Sequence, residues 1–280
     1  MVYNQPSCMP SPRRRRAGTF PPIVGTMNEI QAASPGAARP DAPIISDIAH
    51  LGGRGTLYLL ALVQAHQLRQ HVAPTPEATA SLLSVLDALG VVRSEHHPTP
   101  ASNVTFPDKL PWAYTWSHVP FDGLGDRLAN YLSTTGRNTL YADTWLRVWQ
   151  ELLSAEVIAY LQYQLRLHQF SNAFLAELIP LLAPNESRHS LGHWRYACWV
   201  SVRSMASVSL QHPGNVELLK FTLRNELPRR LQIALDSSGE KFCFSPSYSI
   251  PNSALSSVFS SVATHLGDNF WKSPPSYDLL

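Results

Sequence analysis

The stretch Thr75–Arg93, "TPEATASLLSVLDALGVVR", decides how the first half of the chain is read. Thr75 suits an N-cap and Pro76 the first helical position. Ala78, Leu82, Val85, Leu86 and Leu89 then fall on one side of the helix that follows. Gly90 stands just past the end, and Val91 and Val92 switch to β-branched residues that open a strand. A helix that stops at a glycine and enters a strand is how the recognition helix of a winged helix-turn-helix meets its wing.

Working outward, "TLYLLALVQAHQLRQH" (56–71) places Leu57, Leu60, Ala61, Val63 and Leu68 at helical spacing and predicts an earlier helix. The preceding "GGRG" (52–55) lacks the Gly-Lys-Ser/Thr end of a phosphate loop and reads as a hinge or turn. "WAYTWSHV" (112–119) predicts a second strand, pairing with the first across a polar 94–111 loop. Residues 43–119 therefore read as a small winged-helix-like α/β module, although no middle helix fits between 71 and 75. From Phe121 the pattern is helical, with helices expected near 122–133, 139–169, 171–182, 188–210, 215–236 and 252–266. Pro228 is expected to kink or split the fifth of these. "KFCFS" (241–245) reads as a short strand. The fold class expected is mainly α: a helical domain at 120–280 preceded by the winged-helix-like module, behind a disordered leader at 1–42 that is rich in Pro, Ala, Ser, Gly and Arg without periodicity.

Charge separates these parts. The total is +2, and residues 1–40 carry five arginines against the single Glu29, whereas 41–118 carry four bases against six acids. The basic excess belongs to the leader, where Arg13–Arg16 could meet a polyanion without specificity and where Met27 offers a second plausible start. DNA affinity comes largely from Lys and Arg on phosphates. The helix from Pro76 to Leu89 holds neither, and carries Glu77 and Asp87. A DNA-binding regulator would instead need Arg54, Arg69 and Arg93 clustered in space, so sequence-specific nucleic-acid binding is the alternative and not the first reading.

Three cysteines, Cys8, Cys198 and Cys243, are far apart and odd in number, as expected of reduced thiols in a cytoplasm. No export signal is recognised at the N-terminus, and no apolar run approaches the ~20 residues of a bilayer span, so no membrane partner is expected.

The residues that could carry chemistry are few. On the 139–169 helix, Trp145, Trp149, Leu152, Leu153, Tyr160, Tyr163 and Leu167 share a face, with Glu156 in its middle. A carboxylate among aromatics is either a general acid with a raised pKa or one half of an ion pair with an arginine from another helix, such as Arg195 or Arg203. His189 and His193, four apart in "SRHSLGHWRYACW", could face one metal from one helix. Ser190 follows the first histidine where a metalloprotease has glutamate, and the pair sits opposite the Trp194, Cys198, Met205 stripe, so an exposed or interface pair is the simpler reading. Around "FSSVATH" (259–265), Ser256, Ser257, Ser260 and Ser261 form the small polar face of a helix, without a Gly-x-Ser-x-Gly elbow. No cofactor motif is present.

Two segments, "EVIAYLQYQLRLHQF" (Glu156–Phe170) and "IPNSALSSVFSSVATHLGDNFW" (Ile250–Trp271), resemble a family of uncharacterised bacterial proteins that ends in a similar Pro-x-Ser-x-Leu-Ser-x-Val-Phe helix followed by Gly-Asp and an aromatic. The likeness covers the C-terminal half and implies a bacterial cytoplasmic protein, with no catalytic residue attached. The sequence thus points to a non-enzymatic interaction or regulatory protein that docks a protein partner, or a second copy of itself, through helical and aromatic surface. A winged-helix DNA-binding regulator is the alternative, and an enzyme using Glu156 as acid or base, with a histidine, the third.

Overall fold

The computed structural model describes residues 48–94, 112–115, 121–135, 138–182, 188–236, 242–244 and 252–280. The leader expected at 1–42, with Cys8, Arg13–Arg16 and Met27, lies outside the described residues. Residues 41–280 cluster as one compact unit.

The fold is mainly α. Helix α1 (Gly52–Leu68) is followed by α2 (Pro76–Ala88), then by strands β1 (Val92–Ser94) and β2 (Trp112–Tyr114), which pair antiparallel with Val92 opposite Tyr114. Helices α3 (Phe121–Thr135), α4 (Ala142–Leu167), α5 (Leu191–Gln211) and α6 (Val216–Asp236) complete the larger elements. The C-terminal segment adds α7 (Ala254–Val258), which continues as a π-helical turn through Ala263, and the short α8 (Asn269–Lys272).

The local signals around Thr75 act as expected. The Thr75 hydroxyl accepts from the Ala78 amide at 3.2 Å, capping α2, and Gly90 takes a positive φ of 71° just past the helix. A winged-helix-like module does not result. Leu57, Tyr58, Leu59, Leu60, Ala61, Leu62 and Val63 are all buried, on every side of α1. A helix apolar all round belongs inside a larger body. It packs against α2, α3, α4 and α7, so its partners come from both ends of the chain and not from a local three-helix unit.

"GGRG" is no hinge. It forms the first turn of α1, where a methyl group on Gly53 would stand 3.0 Å from the buried ring of Trp145, so the glycine permits the close approach of α1 to α4.

Three other boundaries differ. The 171–182 segment forms two 3-10 turns, Asn172–Glu177 and Ile179–Leu182, because Pro180 supplies no amide to extend an α-helical ladder. Pro228 neither splits nor ends α6: the residue is exposed, where the carbonyl it leaves unpaired can meet water, and Leu219, Leu223, Leu227 and Leu231 keep one buried stripe across it. Residues 242–244 form no strand. Among the described residues no helix is long and apolar enough to cross a membrane.

The C-terminal segment closes the core. The Ser253 hydroxyl caps α7 through the Ser256 amide at 3.2 Å, while the amides of Ala254 and Leu255 donate to the carbonyls of His71 and Val72 at 2.8 and 2.9 Å. Phe259 meets Trp145 edge-on with ring centroids 6.4 Å apart, and Phe270 lies 6.5 Å from Trp149. Leu255, Val258, Phe259, Ala263 and Phe270 are all buried. Truncation after Pro251 removes this aromatic layer, exposes Trp145 and Trp149, and should abolish cooperative melting as followed by near-ultraviolet circular dichroism. A sharply melting truncated chain would show that the segment is dispensable.

Candidate functional site

Glu156 sits near the middle of α4 and is buried, 4 % exposed. Its Oε2 faces Arg195 Nη2 of α5 at 3.4 Å, and its Oε1 accepts from the Ser256 hydroxyl of α7 at 2.7 Å. The expected ion pair is present, with Arg195 as the partner. Arg203 lies instead over the face of Trp199, 4.7 Å from the ring centroid, on the exposed side of α5. Tyr163 and Leu167, assigned to the same face as Glu156, do not join the core: Tyr163 is half-buried and Leu167 exposed.

Arg195 is 1 % exposed and is held between two aromatic faces, Tyr160 at 5.2 Å and Trp271 at 4.5 Å from the ring centroids. Its guanidinium offers five N–H donors, yet Nε and Nη1 meet no hydrogen-bond acceptor among the described residues. Burial pushes the Glu156 carboxyl above the usual carboxylate range, against the opposing pull of Arg195 and of the Ser256 hydrogen bond. Burial likewise lowers Arg195, while Glu156 opposes it. The Cys198 thiol, fully buried beside the arginine, is pushed up to about 12 and is inert as a nucleophile.

The pair lies beside a cleft of about 480 Å³ between the C-terminal half of α4, α5 and residues 243–244. Tyr160, Tyr163, Gln164, Arg195, Trp199 and Phe244 line it, with Leu167, His168 and Cys243. A second opening, an apolar groove of about 840 Å³, runs between α2 and α4. Val148, Leu152, Ala155 and Ile158 of α4, Ala78 of α2, and Leu175 and Ile179 form its apolar surface, and Glu77, Ser81, Arg147 and Gln162 are among its polar lining.

The histidine pair is not arranged on one helix face. His189 precedes the helix, Ser190 is the N-cap of α5, and the His193 Nδ1 accepts from the Ser190 amide at 3.4 Å in a capping box. The two residues are therefore not successive turns of one helix face. His189 packs instead edge-on against Trp194, with ring centroids 6.1 Å apart, and burial together with His193 pushes it down to about 4. Among the described residues no group of three or more potential metal ligands occurs.

Nor do the arginines gather. Arg54 is bonded to Glu151 at 2.7 Å, and Arg69 sits at the opposite end of α1, about 22 Å away along the helix axis. Compared with known proteins, the chain matches no family model, no curated protein and no solved structure.

Sequence reasoning found Glu156 and Arg195 but missed Ser256, which was assigned to the small polar face of its helix, and Trp271. A serine two to three residues into a helix carries no sign of a contact made 100 positions away.

Arg195→Met leaves the buried carboxylate without a counter-charge and should lower stability by about 3–5 kcal/mol, with most of that recovered in the Glu156→Leu/Arg195→Met double variant. Chemical denaturation of the four proteins measures the coupling. A pH dependence follows from the same site. Folded Glu156 holds its proton more tightly than the unfolded chain does, so its contribution to stability is complete below the ordinary carboxylate range. That contribution is lost as pH rises through the raised folded value. Glu156→Gln should flatten that part of the melting-temperature profile; a profile unchanged by the substitution would place the titration elsewhere.

Proposed function

We propose that this protein is a non-enzymatic interaction protein that receives an amphipathic helix of a partner protein in the groove between α2 and α4. The observation that carries the reading is the groove's construction. Val148, Leu152, Ala155 and Ile158 recur along α4 at helical spacing as an apolar floor, and small residues, Ala78, Ser81, Ser154 and Ala155, keep it open. Ile179 stands at the groove 61 % exposed, an apolar side chain that docking would cover. An apolar floor with polar residues around it fits a helix that presents apolar side chains at every third or fourth position, the helix-in-groove mode of recognition.

Glu156 argues against acid or base catalysis as the main role, since both its oxygens are already engaged by Arg195 and Ser256 and no second carboxylate shares those bonds. The DNA-binding alternative draws no support from Arg54 and Arg69 at opposite ends of one helix. A reducing, cytoplasmic setting suits the free thiols of Cys198 and Cys243 and agrees with the bacterial cytoplasmic origin implied by the C-terminal likeness.

A photo-crosslinking amino acid at Ser81, inside the groove, tests this in the native host against the same residue at the exposed Leu210 of α5. Ser81 should yield a product whose linked peptide carries apolar residues at helical spacing. A linked peptide from this same chain would make the groove a self-association surface. Products from Leu210 with none from Ser81 would overturn the assignment.

A further inference from the structure

Among the described residues, Arg195 is a buried cation that has donors left over and also lines a cleft. Its Nη2 reaches Glu156 at 3.4 Å, while Nε and Nη1 donate to no described residue. Unmet donors at such depth cost free energy unless an acceptor is supplied. The indole N–H groups of Trp145, Trp149 and Trp194 and the hydroxyl of Ser201 are also buried without partners among the described residues, but none of these residues lines the cleft, and Arg195 does.

The cleft's chemistry narrows what the acceptor is. Arg195 is the sole permanent cation among its lining residues, and Glu156 stands directly behind it, so the site suits a single negative charge and not a polyanion. Tyr163, Trp199 and Phe244 are half-buried, each with part of its aromatic surface open, and the Gln164 amide adds a polar group to the wall. A planar apolar body finds stacking surfaces there. A volume of about 480 Å³ admits a small organic molecule.

We propose that this cleft binds a small aromatic monocarboxylate, whose carboxylate accepts from Arg195 and whose ring system lies against Tyr163, Trp199 and Phe244. The two aromatic faces that hold Arg195, Tyr160 and Trp271, fix the plane of the guanidinium, so its donors are oriented before the ligand arrives. Glu156 then sets the affinity. It competes with the ligand for the charge of Arg195, and a neutral residue at 156 leaves that charge to the incoming carboxylate. Binding here is separate from partner docking: the groove and the cleft share no lining residue.

Titration calorimetry on the full chain with naphthoate, and with naphthylmethanol as its uncharged counterpart, tests the site. Naphthoate should saturate one site per chain and bind at least about tenfold more tightly than the alcohol. Trp199→Ala should weaken both probes, because it removes stacking surface common to both. Glu156→Gln should tighten naphthoate by about threefold or more and leave the alcohol unchanged, an effect that a purely structural ion pair does not produce. Since Arg195 alone cannot be removed without stranding Glu156, the charge-free Glu156→Gln/Arg195→Gln variant supplies the loss, and it should bring naphthoate down to the affinity of the alcohol. Equal affinities of the two probes, undiminished naphthoate binding by that double variant, or no saturable binding at millimolar naphthoate would each overturn the proposal.

Discussion

The contact between Glu156 and Arg195 is the constraint to which the remaining architecture answers. Neither charge could be taken out of water alone, since each would cost several kcal/mol unpaired. The fold therefore brings α4 and α5 together at that level and adds the Ser256 hydroxyl of α7 on the second carboxylate oxygen. Arg195 extends the junction further, with Tyr160 of α4 on one side and Trp271 of α8 on the other. The pair thus ties four elements, α4, α5, α7 and α8. The junction also fixes their register, because a shift of α7 by a single residue would rotate Ser256 by about 100° and withdraw its hydroxyl from Glu156.

Around that junction the packing is built on aromatic side chains and on one central helix. Trp145 and Trp149, one turn apart on α4, receive Phe259 and Phe270 from the C-terminal segment, while α1 lies across α3, α4 and α7 with apolar residues on all its faces. The chain's end is consequently core. Its attachment is reinforced where α7 begins, as the amides that a helix N-terminus cannot satisfy internally donate to the carbonyls of His71 and Val72 just before α2. The loop ahead of the Thr75 cap and the C-terminal segment from Ala254 onward are one structural unit.

What the sequence revealed and what it concealed divide along physical lines. Thr75, Pro76 and Gly90 act within a few residues of themselves, so their capping and left-handed roles were legible. Glu156 was legible for a different reason: a lone charge among aromatics demands a partner, and arginines on a neighbouring helix are few. The misreadings came where tertiary contact overrides a local pattern. "TLYLLALVQAHQLRQH" reads as a helix with one apolar side when only five of its positions are taken, yet the apolar run on every face was the sign of a central helix and excluded a small module. "GGRG" looked like a flexible joint because nothing local shows that the ring of Trp145 will lie against Gly53. His189 and His193 were read as lying on one helix, but the Ser190 cap takes His189 out of it.

The two openings on α4 explain why this helix has no simple polar and apolar side. Taking about 100° per residue, Val148, Leu152, Ala155 and Ile158 centre on one direction, while Tyr160, Tyr163, Gln164 and Leu167 centre roughly 120° away. The first set floors the groove and the second walls the cleft. Glu156 falls with the second set, within about 40° of Tyr160. On that helical wheel the glutamate is no intrusion into an apolar core. It belongs to the polar side of a cleft, set deep enough for α5 and α7 to cover it, and the arginine that neutralises it is the same residue that faces the opening. A helix buried on one side only would need no such charge. One that carries an apolar groove and a polar cleft on two separate faces must place polar residues inside the protein, and the Glu156, Arg195 and Ser256 set is how this chain meets that requirement.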